Sequence, residues 1–184
     1  MEEQAEQDLG VFAALSAEVQ ASYAASGADP WEASPFLWIA KTRSSRRRGA
    51  IGEALVRAWA EHEGFHVQPA VNSGHDCRIN DLKVEIKLST LWESGVFKFQ
   101  QFRDQDYEIG LLLGIEPQRV SLWVVPKEDL WSSQIPFQHG GQKGRDTKWL
   151  SFRPETPPDW LRQHGGRLLD ARAALEQAQR RLRS

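Results

Sequence analysis

Residues 74–89 read GHDCRINDLKVEIKLS, and their alternation decides how the rest of the chain is read. Leu82, Val84 and Ile86 are apolar, whereas Lys83, Glu85 and Lys87 between them are charged, the period-2 pattern of a half-buried strand. Upstream, Cys77 and Ile79 alternate with Asp76 and Arg78. Asn80-Asp81 separates the two runs, and both residue types tolerate the positive φ that a two-residue hairpin turn demands. The register that follows pairs Ile79 with Leu82, Arg78 with Lys83, Cys77 with Val84 and Asp76 with Glu85. Opposed residues in such a ladder have Cβ atoms about 5 Å apart, so two carboxylates face each other. Their repulsion costs stability unless a cation lies between them. Lys87, two positions beyond Glu85, leaves the strand on the same face. Hard carboxylate oxygens favour Mg²⁺, with Mn²⁺ as a substitute. Two carboxylates, a lysine and a metal-bound water together suit hydrolysis of a phosphodiester. A solvated hairpin face with an incidental acidic pair is the plainer alternative.

The flanking sequence predicts an α/β arrangement. Gly49 to Glu63 reads as a helix with Ile51, Leu55, Val56 and Trp59 as its buried stripe, stopped by Gly64. Phe65 to Val71 reads as a strand before the hairpin. After it come a loop over Leu91–Gly95 and a short helix over Phe97–Asp106. Tyr107–Ile115 is a nearly continuous apolar run of strand length, as expected for a sheet buried on both faces. Val120–Val125 is a further strand, stopped by Pro126, and Lys127–Leu130 starts a helical turn. Helix, three strands, helix, strand is the resulting order. Outside this core, Glu3–Ala25 has helical composition, with Leu9, Phe12, Leu15 and Val19 at three- and four-residue spacing. Gln138–Asp146 is a glycine-rich loop, Trp149–Phe152 a late edge strand, Pro158–His164 a helix and Arg167–Leu182 a basic terminal helix. The expected organisation is one domain over residues 1–184, with a helical extension at 1–43, a core at 44–130 and a C-terminal addition at 131–184.

Asp76, followed by Glu85-Ile86-Lys87 on the next strand, resembles the core of the PD-(D/E)xK nuclease superfamily, the restriction endonuclease-like fold. The resemblance covers residues 44–127 and departs from the usual pattern at His75, where a proline is common. It implies a mixed central sheet flanked by helices in α-β-β-β-α-β order, with helical additions at both ends. It also implies that Asp76, Glu85 and the Ile86 carbonyl hold the metal, with Glu53 on the preceding helix completing the site. Glu53 read without it is a first-turn acid stabilising a helix N-terminus. Lys87 orients or deprotonates the attacking water and stabilises developing charge. Gln101, with Gln100 beside it, is the polar residue expected to face the active site, or else part of the polar face of an amphipathic helix.

Charge and cysteine content bound the remaining choices. The chain of 184 residues has a net charge of −2, so it is not a general polyanion binder, but its basic residues cluster. Arg46, Arg47 and Arg48 precede the Glu53 helix, and with His75, Arg103, Lys143 and Arg145 they are the candidate DNA contacts. Trp92, Trp131 and Trp149 are candidates for base stacking. One cysteine excludes an internal disulfide and a paired-cysteine zinc site. With no long apolar run and no secretory leader, a cytoplasmic protein away from membranes is expected. The expected function is a Mg²⁺-dependent endonuclease of restriction type, acting on double-stranded DNA as a homodimer. A junction resolvase or repair nuclease, a catalytically silent DNA-binding or partner-binding protein of the same fold, and a hydrolase of small phosphates stay open.

Overall fold

In the computed structural model, which describes residues 13–17, 19, 29–132, 135–138 and 147–183, the hairpin forms in the register read from its alternation. Three strands open the sheet: β1 (Val67–Pro69), β2 (Cys77–Ile79) and β3 (Leu82–Thr90). Asn80 and Asp81 turn the chain at φ 46° and 74°, and β2 pairs antiparallel with β3 through Ile79–Leu82, Arg78–Lys83 and Cys77–Val84. The remaining strands are β4 (Phe97–Phe102), β5 (Ile109–Ile115), β6 (Val120–Pro126), β7 (Phe137–Gln138), β8 (Thr147–Phe152) and β9 (Gly165–Gly166). The described helices of known bounds are α1 (Leu37–Ala40), α2 (Ser45–His62), α3 (Lys127–Leu130), α4 (Asp159–Arg162) and α5 (Leu168–Arg183). Residues 13–17 and 19 are also helical, and the rest of the expected Glu3–Ala25 helix lies outside the described residues. The chain divides into two compact units, residues 1–32 and 33–184, and every labelled element belongs to the second.

The main sheet runs β1-β2-β3-β5-β6-β9, mostly antiparallel, with β3 and β5 its parallel pair. All of β5 is buried, as its unbroken apolar sequence requires. The helix α2 packs on β3, and α5 packs on β6 and β9. Gly165 and Gly166 were expected only to precede the last helix; they instead form an edge strand, at φ 126° and 124°.

Two expectations are corrected. Phe97–Asp106 is not a helix, so the α-β-β-β-α-β order is not followed: its first half is β4, paired with β8 in a second sheet of order β4-β8-β7. Phe97 and Phe99 alternate with Lys98 and Gln100, and pairing with β8 settles the segment as a strand; Phe97, Phe99 and Phe102 are all fully buried. Phe97 and Phe99 meet Trp123 and Phe152 in an aromatic cluster, with Trp123 and Phe152 edge to face at 5.2 Å. Gly114 makes this approach possible, because a Cβ there would lie 2.7 Å from the Phe97 ring. Trp149–Phe152, expected at an edge, lies in β8, the centre strand of that second sheet.

The helix before the hairpin also differs from its reading. It begins at Ser45, capped by Ser44, whose Oγ accepts the Arg47 N–H at 3.3 Å. Of the expected stripe Val56 is fully buried and Ile51, Leu55 and Trp59 are half-buried; Gly52 and Ala60, one turn to either side of Val56, complete the buried row. A Cβ on Gly52 would stand 2.7 Å from the Leu88 Cβ of β3. Gly52→Ala is therefore expected to push α2 outward and cost about 1–3 kcal/mol of stability, read by urea unfolding.

Candidate active site

The site exists because β3 outruns its partner. The ladder from β2 covers Leu82 to Val84, while β3 continues to Thr90 paired with β5 on its other side. The expected next rung, Asp76 opposite Glu85, does not form. Instead the Asp76 N–H donates to the Val84 carbonyl at 2.8 Å, and its Oδ2 accepts the Ile86 N–H at 2.7 Å. The Asp76 side chain thus replaces the missing strand. Within an extended strand the N–H and C=O of one residue point to the same side, so the Ile86 carbonyl lies on this edge beside Asp76.

Glu85 and Lys87 leave β3 on one face, and the Lys87 Nζ is 2.6 Å from Glu85 Oε1. Glu85 is only 6% exposed. Burial pushes its carboxyl above the ordinary carboxylate range, the Asp76 charge adds to this, and Lys87 and Arg103 act against it. Glu53 reaches the same cleft from α2. Its carboxyl is also raised, first by burial and then by Asp76, with Glu85 contributing and Arg57 and Lys87 opposing. The carboxylates therefore feel one another, although Asp76 and Glu85 are not a ladder pair.

Two adjoining lobes form the cleft, and Asp76, Lys87 and Gln101 line both. One lobe, of about 250 Å³, adds Arg48, Glu53 and Ile86. The other, of about 270 Å³, adds Glu85 and Arg103. Gln101 arrives here from β4, not from a helix: it sits at the irregularity between Phe99 and Phe102, with φ 60°. That conformation is strained for a side chain other than glycine. Gln101→Gly is expected to raise stability by about 1 kcal/mol while weakening any activity of the cleft, a combination that thermal melting and a cleavage assay check together.

The remaining candidates divide. Arg46, Arg47 and Arg48 lie in the first turn of α2, not before it, which places three cations at the positive end of the helix dipole. Arg48 lines the cleft; Arg46 and Arg47 are exposed outside it. His75 was expected at a phosphate but is 4% exposed, and both ring nitrogens are buried without a hydrogen-bond partner. In this position the imidazole is closed off from DNA. Lys143 and Arg145 lie outside the described residues. Lys98, Ser73 and Gln105 line the cleft without having been singled out. Reading FKFQ with period 2 would have placed Lys98 beside Gln100.

Hard oxygen donors make the cleft compatible with a divalent cation. Among the described residues no group of three or more His, Cys, Asp or Glu side chains forms a metal cage. Mg²⁺ does not need one, since it is commonly held by one or two carboxylates with water and substrate completing its shell. A larger cavity of about 460 Å³, lined by Asp104, Tyr107, Glu108, Lys127, Trp131 and Arg181 among others, has a different character. Its acids are largely satisfied: Asp104 pairs with Lys127 at 2.7 Å, and Glu108 accepts the Lys83 N–H at 2.8 Å.

Among the described residues no helix is long and apolar enough to cross a membrane. No family model matches the chain, and no curated protein matches it. Among solved structures it is similar to a bacterial homing endonuclease, I-Ssp6803I, at a TM-score of 0.50 and 15% identity. The match covers 77% of this chain and 99% of that one. Over most of its length, the chain has a fold similar to that of a nuclease.

Proposed function

We propose that this protein is a divalent-metal-dependent DNA endonuclease of the PD-(D/E)xK, restriction endonuclease-like type. One observation carries the reading: Glu53, Asp76, Glu85, Lys87 and Gln101, drawn from a helix and three chain segments, meet along the unpaired edge of β3. The similarity in fold to an endonuclease supports it.

Asp76, Glu85 and the Ile86 carbonyl are the residues that would hold Mg²⁺, with Glu53 beside them. A cation bound there would lower the pKa of a bound water and offset charge on the phosphate. Lys87, held by Glu85, is placed to orient an attacking water and to meet negative charge as it develops. Arg103, which lines the lobe that holds Glu85, offers a guanidinium to the phosphate oxygens. Arg46, Arg47 and Arg48 add sequence-blind phosphate contacts, and a bound anion relieves their conflict with the helix dipole. Cutting both strands of a duplex takes two such sites, which is the basis for a homodimer.

The test is incubation of plasmid and branched DNA with Mg²⁺, comparing wild type with Asp76→Ala and Lys87→Ala. Metal-dependent cleavage by the wild type alone is expected, and preference between plasmid and junction separates a restriction enzyme from a resolvase. Intact DNA binding with no cleavage of any substrate would replace the reading with a silent binder. Turnover of free nucleotides without DNA cleavage would replace it with a small-phosphate hydrolase.

A further inference from the structure

One lobe of the cleft carries an indole that the chemistry above does not use. Trp92 is 42% exposed, and it lines the lobe that also holds Arg48, Glu53, Asp76 and Lys87. Its backbone is fixed. The Trp92 N–H donates to the Val96 carbonyl at 3.0 Å, and its own carbonyl accepts the Gly95 N–H at 2.8 Å. Gly95 takes φ 72°, so the connection from β3 to β4 is a tight turn that begins at the indole. The Lys98 ammonium stands 3.9 Å from the ring centroid, a cation–π contact that occupies one face. A tryptophan held by its backbone, with a cation on one face and much of its surface in a cleft, is not serving the core.

Size narrows what such a ring can meet. At about 250 Å³ the lobe has room for a single base beside the ring. A cation beside an exposed ring is the pairing by which proteins hold single nucleotides, the ring stacking on the base and the cation meeting the adjoining phosphate.

We propose that Trp92 is a stacking platform for an unpaired nucleobase, and that the substrate class is DNA with an unstacked or single-stranded nucleotide next to the scissile phosphate. This rests on the nuclease reading and adds to it the state of the DNA. Lys98 holds the phosphate of the stacked nucleotide. A base that is already unpaired costs least to seat there, so mismatched, gapped or branched DNA is favoured over an intact duplex.

The experiment measures binding in Ca²⁺, using oligonucleotides with 2-aminopurine in a single strand, in a one-base bulge and in a fully paired duplex. Wild type is expected to favour the first two and to quench their fluorescence. Trp92→Ala is expected to lose affinity for them by about 10- to 100-fold and to lose the quenching, with Trp92→Phe keeping most of both. Thermal melting confirms that both variants are folded. An equal loss on the paired duplex, or no loss on any probe, overturns the proposal. Because the readout is binding, the two ideas fail separately. Stacking without Mg²⁺-dependent cleavage overturns only the nuclease reading, cleavage without stacking overturns only this one, and no binding to any DNA overturns both.

Discussion

Glu85→Gln is expected to lower Mg²⁺-dependent DNA cleavage by about 1,000-fold or more, while the metal-free protein melts higher than wild type at neutral pH. The two effects have one cause. Glu85 is buried on β3 near Asp76, and its carboxyl is raised above the ordinary range by burial first and by Asp76 second, despite Lys87. An acid whose folded pKa is raised weakens the fold once pH climbs above its unfolded value, because the native state resists ionisation. Glutamine keeps the shape and removes that burden. As pH falls towards the ordinary carboxylate range the wild-type group takes a proton, and the difference in melting temperature closes. Melting curves of both proteins across that range check the sign. A Glu85→Gln variant that melts lower than wild type at neutral pH would show that the carboxylate stabilises the fold.

Lys87→Met is expected to lose about 100- to 10,000-fold in cleavage and, in contrast, to destabilise the protein. Its ammonium lies 2.6 Å from Glu85 Oε1, with a side chain 22% exposed against 7% for Glu85. Removing it leaves a buried carboxylate without its counter-charge. Breaking a fully buried pair in this way costs about 3–5 kcal/mol, and the partial exposure of Lys87 brings the expected loss to about 1–3 kcal/mol. Urea unfolding gives the value. Two variants of one ion pair, both inactive and moving stability in opposite directions, distinguish an active-site pair from a structural salt bridge.

The hairpin was legible because its register depends on a period of two and a turn of fixed length, both local properties. Asn80-Asp81 and the pairs from Ile79–Leu82 to Cys77–Val84 stand as read. The Asp76–Glu85 rung was not legible, since the carboxylate of Asp76 competes with the ladder for the Ile86 N–H, and nothing in a strand pattern announces that. Gln101 was placed in the site through a helix that does not exist. Aromatic spacing in FKFQQF fits both periods over six residues, and only pairing with the distant β8 decides for a strand. His75 shows the same limit from the other side. Its neighbour in sequence lines the cleft, yet its own ring turns into the protein. Local pattern located the charged residues of the candidate site; long-range pairing determined which side chains line the cleft.

Where the metal binds decides whether the edge of β3 is the active site. Diffraction from crystals soaked in Mn²⁺, with the anomalous signal located, is the direct measurement. The prediction is a peak on the edge of β3, coordinated by Asp76 and Glu85 and lost in Glu85→Gln. A peak elsewhere, with none at Asp76 and Glu85, would contradict the account.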